Sequence, residues 1–378
     1  MKKICVLSVL AASLFTSAFA VSWSGLVDNN TKLSANDDFS ELKLKQSNGV
    51  YLALKTPVSS NGNLNFTVEG LYKYNLDINL KSNTTKFTNI ADCDLLDLTG
   101  SWKLGGGVLS LDAGRFFRSD FAGSAFAQVS DGVLAGYSNA NFAANIYAGY
   151  TGVLNRLNVS MVDNVADKDD NFYALCAQYI PVMADFSYKT LFKKHTIGIQ
   201  VEDFIPVSDK LVNKFYGTVL VKGPVTPKIS YKASFTLGAL KFEKFMFDAI
   251  ADVNFYVIKN GKLTAGLEYL SSANGSIMNF VPVTTRSIVN DSGFGGGILP
   301  KVAFMYSKNA LYFNATGKGV ISMANNNTKF RGIDITADAV YNIFNDLSVG
   351  ANVAAFIGFD EAKKAGNYSA TLKAKLAF

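Results

Sequence analysis

Apolar and polar side chains alternate along most of this chain. Successive side chains of an extended strand point to opposite faces, so a two-residue period predicts strands with one oily and one wet face. From Lys228 to Leu237, Ile229, Tyr231, Ala233, Phe235 and Leu237 share one face, and Lys228, Ser230, Lys232, Ser234 and Thr236 the other. Gly261 to Tyr269 sets Leu263, Ala265, Leu267 and Tyr269 against Lys262, Thr264, Gly266 and Glu268. Asn63 to Tyr74 sets Leu64, Phe66, Val68, Tyr72 and Tyr74 against Asn63, Asn65, Thr67, Glu69 and Lys73, with Leu71 out of step. Leu347 to Ile357 alternates too, its polar face lapsing at Ala354 and Phe356. Shorter runs recur at Glu41–Lys45, Asp185–Thr190, Thr196–Glu202 and Arg331–Tyr341.

The longer runs reach about ten residues, the length a tilted strand needs to cross a bilayer. Candidate strands fall at 40–47, 49–56, 62–74, 93–104, 107–117, 131–138, 141–150, 171–180, 183–191, 195–203, 212–222, 227–238, 243–258, 261–271, 298–306, 309–322, 330–343, 346–358 and 366–378, with a weaker one at 21–27. Ser47-Asn48-Gly49, Gly105-Gly106-Gly107, Lys259-Asn260-Gly261 and Asn345-Asp346 suit short turns. The polar stretches 75–91, 151–170, 272–297 and 323–329 read as loops. Without 21–27 the strands number nineteen, whereas single-chain bacterial barrels have an even number. The expectation is an all-β, antiparallel transmembrane barrel of about eighteen strands, sixteen to twenty being allowed. The miscount is expected between about 183 and 258, where tracing from the two termini disagrees.

Other features separate a barrel from a soluble sandwich, which also alternates. Lys2 and Lys3, an apolar stretch from Ile4 to about Phe15, and Ala18-Phe19-Ala20 form a secretory leader over 1–20, leaving 378 − 20 = 358 residues as one barrel domain, 21–378. Beyond the leader no run of eighteen apolar residues offers a spanning helix, although 49% of the chain is hydrophobic, with 29 Phe and 17 Tyr. Without Lys2 and Lys3 the net charge falls from +6 to +4, too dispersed for a nucleic-acid partner. Cys93 and Cys176 are too few for a disulfide framework and are read as unpaired.

The last strand adds a specific signal. Tyr368, Ala370, Leu372, Ala374, Leu376 and the terminal Phe378 share one face, opposite Ser369, Thr371, Lys373 and Lys375. This resembles the closing strand of bacterial outer-membrane barrels, which implies an outer-membrane location and recognition by the barrel-insertion machinery. The stretch Ser22-Trp23-Ser24-Gly25-Leu26-Val27-Asp28, the Tyr-rich strands and Phe378 are together similar to porin-like outer-membrane proteins of spirochaetes such as treponemes. That resemblance implies a passive channel without naming its solute.

In a barrel the apolar face meets lipid and the polar face lines the interior. The expected lumen carries Lys43, Lys45, Lys73, Lys189, Lys228, Lys232, Lys262, Lys373 and Lys375, with Glu69, Asp185, Glu202, Glu268, Asp334 and Asp338. Such charges need water or partners. At sixteen or more strands the interior is wide enough for an aqueous channel. Passive diffusion of small polar solutes or ions follows, with a mild preference for particular solutes or for anions. Residues 118–130 are expected either to enter the pore as a constriction, with Arg115, Arg118 and Asp120 setting its field, or to form an ordinary surface loop with solvated charges. The Gly114-Arg115 strand end and the downstream Asp131-Gly132 resemble a feature of substrate-preferring porins, including alginate-export families. Strict alternation places Arg115 with Leu109, Leu111 and Ala113 on the lipid side; a bulge at Gly114 or a place at the rim would resolve this.

Three other functions compete. A surface adhesin or structural barrel would use loops 151–170 and 272–297. An outer-membrane enzyme needs a positioned base, and the sole histidine, His195, lies beside Lys193 and Lys194 in an expected turn. Residues 21–39 are too few for the plug of a gated receptor. No metal or cofactor motif stands out. Porins often associate as homo-oligomers, but the strands show no clear interface face.

Overall fold

The computed structural model describes residues 21–163, 170–192, 194–286, 288–323, 327–359 and 366–378; the expected leader lies outside the described residues. Eighteen strands form: β1 (Ser22–Asn36), β2 (Leu42–Pro57), β3 (Leu64–Asn79), β4 (Thr84–Leu104), β5 (Gly107–Ser119), β6 (Ala127–Asn139), β7 (Phe142–Tyr150), β8 (Tyr179–Leu191), β9 (His195–Pro206), β10 (Lys214–Thr226), β11 (Ile229–Leu240), β12 (Lys244–Ile258), β13 (Gly261–Leu270), β14 (Gly297–Lys308), β15 (Leu311–Ser322), β16 (Lys329–Asn342), β17 (Leu347–Gly358) and β18 (Asn367–Ala377). Each pairs antiparallel with its neighbours in sequence, and β1 pairs with both β2 and β18, closing a single barrel. At the seam Gly25 and Phe378 exchange backbone hydrogen bonds of 2.7 and 2.9 Å. Closure removes the free sheet edges that hydrocarbon does not tolerate.

The two-residue rhythm resolves as expected into an outer and an inner face. Leu52, Leu54, Phe117, Ile146, Val302 and Leu372 stand exposed on the outside, where lipid would cover them. Thr218, Thr236, Gln200 and Thr264, on the opposite parity, are buried inside. Leu71 falls on the inner face, and it is buried there.

The strand count closes through two mergers and one addition, only one of them near the expected stretch. The expected strands 40–47 and 49–56 are one strand, β2, with Asn48-Gly49 in its middle. Gly49 is there for space: a Cβ would come within 2.2 Å of Asp28 Oδ1 on β1. The expected strands 171–180 and 183–191 reduce to β8, with 171–178 belonging to the preceding loop. The weak candidate at 21–27 is the start of the 15-residue β1. The stretch 75–91 is mostly strand, since β3 runs to Asn79 and β4 starts at Thr84. Leu76 and Ile78 alternate there with Asn75, Asp77 and Asn79, so polarity alone misreads it.

The start of β1 and the end of β18 lie at one rim, together with the short turns 105–106, 140–141, 227–228, 259–260 and 309–310. The opposite rim carries the longer connections, among them 120–126, 151–178 and 271–296. Three of these fold back into the barrel and build the site.

Candidate functional site

The first inward loop follows β5. Gly123, at φ 73°, lets residues 120–126 turn back on themselves. Asp120 Oδ2 accepts the amides of Ser124 (3.0 Å) and Ala125 (2.7 Å), and the Asp120 amide donates to Phe126 O at 2.9 Å. Burial pushes the Asp120 carboxyl up from its ordinary value, and those backbone donors oppose the push. The loop is then anchored to the inner wall. Phe121 N donates to Gln200 Oε1 on β9 at 2.6 Å, and Ser124 Oγ donates to Asp248 on β12 at 2.6 Å. Phe126 is fully buried and packs on Phe204, with ring centroids 5.3 Å apart.

The second inward loop, 271–296, meets the first. The amides of Val283 (2.8 Å) and Thr284 (3.2 Å) donate to Ala125 O. Arg286 ties this loop to the wall, donating to Asp248 at 2.8 Å and to Glu268 on β13. Tyr216 donates to Val281 O at 2.7 Å, Lys318 to Ile288 O at 2.5 Å, and Asn290 through two nitrogens to Asp334. Arg331 grips Asp291 from a bulge, since Val320 pairs with Gly332 and Ile321 with Phe330. The polar reading of 272–297 overlooked Met278, Phe280, Val281, Val283, Ile288 and Val289. That many apolar residues in a segment without strand rhythm is the signal that it must be covered.

The third inward loop, 151–178, seals a split between β4 and β5. Pairing between these strands ends at Leu96↔Arg115. Beyond that point Asn89 N and Ala91 N of β4 donate to the carbonyls of Asn171 and Phe172. Arg115 occupies the fork. It binds Asp131 on β6 through two bonds of 2.7 and 2.9 Å, Asp92 at 2.8 Å, and the carbonyls of Cys93 (2.7 Å) and Val153 (3.2 Å). Its register follows the lipid-facing set, yet it is only 7% exposed because it lies along the fork. The register runs unbroken through Gly114, although φ there is 129°. The bulge sits instead on β4, at Asp94, between Glu69↔Leu95 and Gly70↔Cys93, and it brings Asp92 to the inner face. The second and third loops also join, Val162 N donating to Val283 O and Thr285 N to Ser160 O.

The other expected site residues divide by wall. Arg118 points inward and pairs with Asp185 at 2.7 Å. Near it Glu202 is 1% exposed, and neither carboxylate oxygen has a hydrogen-bond partner among the described residues. Glu268 is buried beneath Arg286. Lys232 is inward on β11, opposite Lys222 and Asp252. Lys228 lies in the turn with Pro227, one residue ahead of β11, and is exposed. His195 opens β9, its Nδ1 2.9 Å from the Tyr231 hydroxyl. Lys43, Lys45, Lys73, Glu69, Lys373 and Lys375 all take inward parity on β2, β3 and β18.

Exposure shows which wall the loops leave open. On β8–β13 the inward residues Asp185, Gln200, Glu202, Thr218, Asp248 and Glu268 are each at most 6% exposed, whereas Lys222, Lys232 and Asp252, nearer the short-turn rim, are not buried. Across the barrel the Lys43 and Lys45 side chains are both 51% exposed and Lys373 is 39% exposed. Lys32 and Lys375 are exposed as well. The loops thus cover the β8–β13 wall, and the exposed inward lysines stand on β1, β2 and β18, with the shorter Asp28, Ser47 and Asn75 buried among them.

No protein-family model matches the chain, and no curated protein matches it by sequence. Solved structures do match in fold. The chain is similar to OccK7 (OpdD) of Pseudomonas aeruginosa, with TM-score 0.64 and 11% identity over 96% of this chain and 99% of that one. It is similar to OccK5 (OpdH) of the same organism, with TM-score 0.62 and 12% identity over 95% and 98%. It is also similar to the P. aeruginosa outer membrane protein OpdK, with TM-score 0.62 and 11% identity over 96% and 100%. At such identities the likeness is one of fold: a closed antiparallel barrel of porin type.

Proposed function

We propose that this chain is a bacterial outer-membrane channel for passive diffusion of small polar solutes, with a mild preference for anions. The observation that carries this reading is a one-sided interior: loops pack against one wall, and exposed lysines stand on the other. Such charges persist only where water reaches them, and a ring or wall of one sign biases which ions pass. The similar fold of outer-membrane proteins from P. aeruginosa supports the location, and one of them, OpdK, was solved with vanillate. Those neighbours lend nothing to a spirochaete kinship. The Phe378 strand, paired with β1, is in this reading the segment met by the insertion machinery. Against the adhesin alternative, described residues of its candidate loops 151–170 and 272–297 are bonded to the barrel and to each other.

Planar-bilayer recording in a KCl gradient tests the proposal. The refolded protein is expected to conduct with a reversal potential on the anion side. Lys373→Gln with Lys375→Gln is expected to move that potential toward cation preference. Liposome swelling should fall as the test sugar grows. Absence of both conductance and size-dependent uptake refutes the channel.

A further inference from the structure

Four neighbouring strands place two cross-strand rows of side chains on the inner face near the loop rim. The first row is Lys32, Lys45, Asp77 and Lys86, registered as Lys32↔Lys45, Lys45↔Asp77 and Asp77↔Lys86. The second, two residues nearer the rim, is Ser34, Lys43, Asn79 and Thr84. Together they line a groove of about 530 Å³. Adjacent strands lie about 5 Å apart and alternate residues about 7 Å apart along a strand, so the two rows make a compact grid of donors.

The charges in this grid are not balanced from within. Lys32 and Lys45 face each other directly, an arrangement that destabilises a sheet. Asp77 is the one acid in the rows, and it reaches Lys45 only at 3.8 Å. Lys43 turns to Glu41 at 2.6 Å, at the edge of the groove. Lys32 and Lys86 have no ion-pair partner among the described residues. The acids of the nearby turn are engaged elsewhere or at its edge, Asp37 accepting from Tyr368 at 2.7 Å. A local rule broken without an internal remedy is what a ligand site looks like before its ligand arrives. Ammonium groups act as point charges on oxyanions, and the Ser34 and Thr84 hydroxyls and the Asn79 amide add neutral donors.

We propose that this groove is a discrete binding site for a small oxyanion carrying two or more negative charges, of phosphate or polycarboxylate type, captured at the mouth. The inference rests on the channel reading for the route by which the ligand comes and goes. The binding itself is independent of conduction.

Isothermal titration of the folded, detergent-solubilised full chain at low salt is the test, with pyrophosphate, citrate and acetate as probes. One saturable site is expected for pyrophosphate or citrate, and the tighter of the two identifies the type of anion. Lys32→Gln with Lys45→Gln is expected to weaken it by about tenfold or more, equal to about 1.4 kcal/mol. Lys86→Gln alone should weaken it less, and Lys259→Gln, in an exposed turn at the opposite rim, should leave it unchanged. About 1 M KCl should abolish it by screening. Heat-modifiable migration on gels establishes that each variant is folded, and the single variant serves if the double one is not. The proposal is overturned if neither polyanion saturates, if acetate binds as tightly, or if the lysine variants bind like the parent. Anion-preferring conductance without such binding sinks the site alone; binding without conductance sinks the channel alone.

Discussion

Arg286 is the bolt between the second loop and the wall, and its removal tests whether the loops narrow the lumen. In Arg286→Ala, Asp248 and Glu268 would keep their burial and lose their common cation. The Asp248 side chain is fully buried and that of Glu268 is 6% exposed. Removing one partner of a buried pair costs about 3–5 kcal/mol, because the other charge is left uncompensated. Arg286 keeps some contact with water, so a cost of about 3 kcal/mol is the appropriate end. At about 1.4 kcal/mol per power of ten, the equilibrium for lifting the loop shifts roughly a hundredfold. The first loop should loosen with the second, since Ser124 and Ala125 hold to Asp248 and to Val283. Single-channel recording should show larger and noisier conductance, and hydrogen exchange should speed at the Val283 and Thr284 amides. Conductance and exchange both equal to the parent protein would refute the assignment of these loops as the constriction.

Two further substitutions probe the fork between β4 and β5. Arg115→Ala strands Asp92 and Asp131 and is expected to destabilise the barrel by about 3–5 kcal/mol, read as a lower urea midpoint in detergent, with faster exchange at the Asn89 and Ala91 amides. Gly114→Ala meets both a φ of 129° and a Cβ position 1.8 Å from Leu96 O. Backbone strain alone costs about 1–3 kcal/mol there, so the variant should fold to a heat-modifiable form less readily than the parent.

The barrel and its alternation were legible wherever the oily face met lipid without interruption, as in β11, β13 and β18. Legibility failed where a residue served packing. Gly49 reads as a turn residue and is a strand residue making room for Asp28. Pro181 suggests a break, yet it lies in β8 just before pairing with β7 begins at Ala148↔Val182, so its missing N–H interrupts nothing on that side. Phe172, Ala174 and Cys176 mimic a strand because the loop carrying them lies along the free edge of β4. Within the site, Arg118 and Asp120 were legible as the charged neighbours of a strand end. Glu202 was legible only as a lumen charge, and Arg286 and Asp248 were not legible at all, because their meaning depends on loops crossing a barrel, a contact with no local trace in sequence.

The pairing of β1 with β18 has a consequence for how the molecule comes into being. The first strand to leave the ribosome must wait for the last before its edge is satisfied, and every strand between them stands in an open, adhesive ribbon meanwhile. Assembly is thus governed by one late, long-range encounter, Thr31 meeting Leu372, and such encounters are slow and invite aggregation. Anything that keeps those open edges apart until Phe378 arrives would favour closure over aggregation.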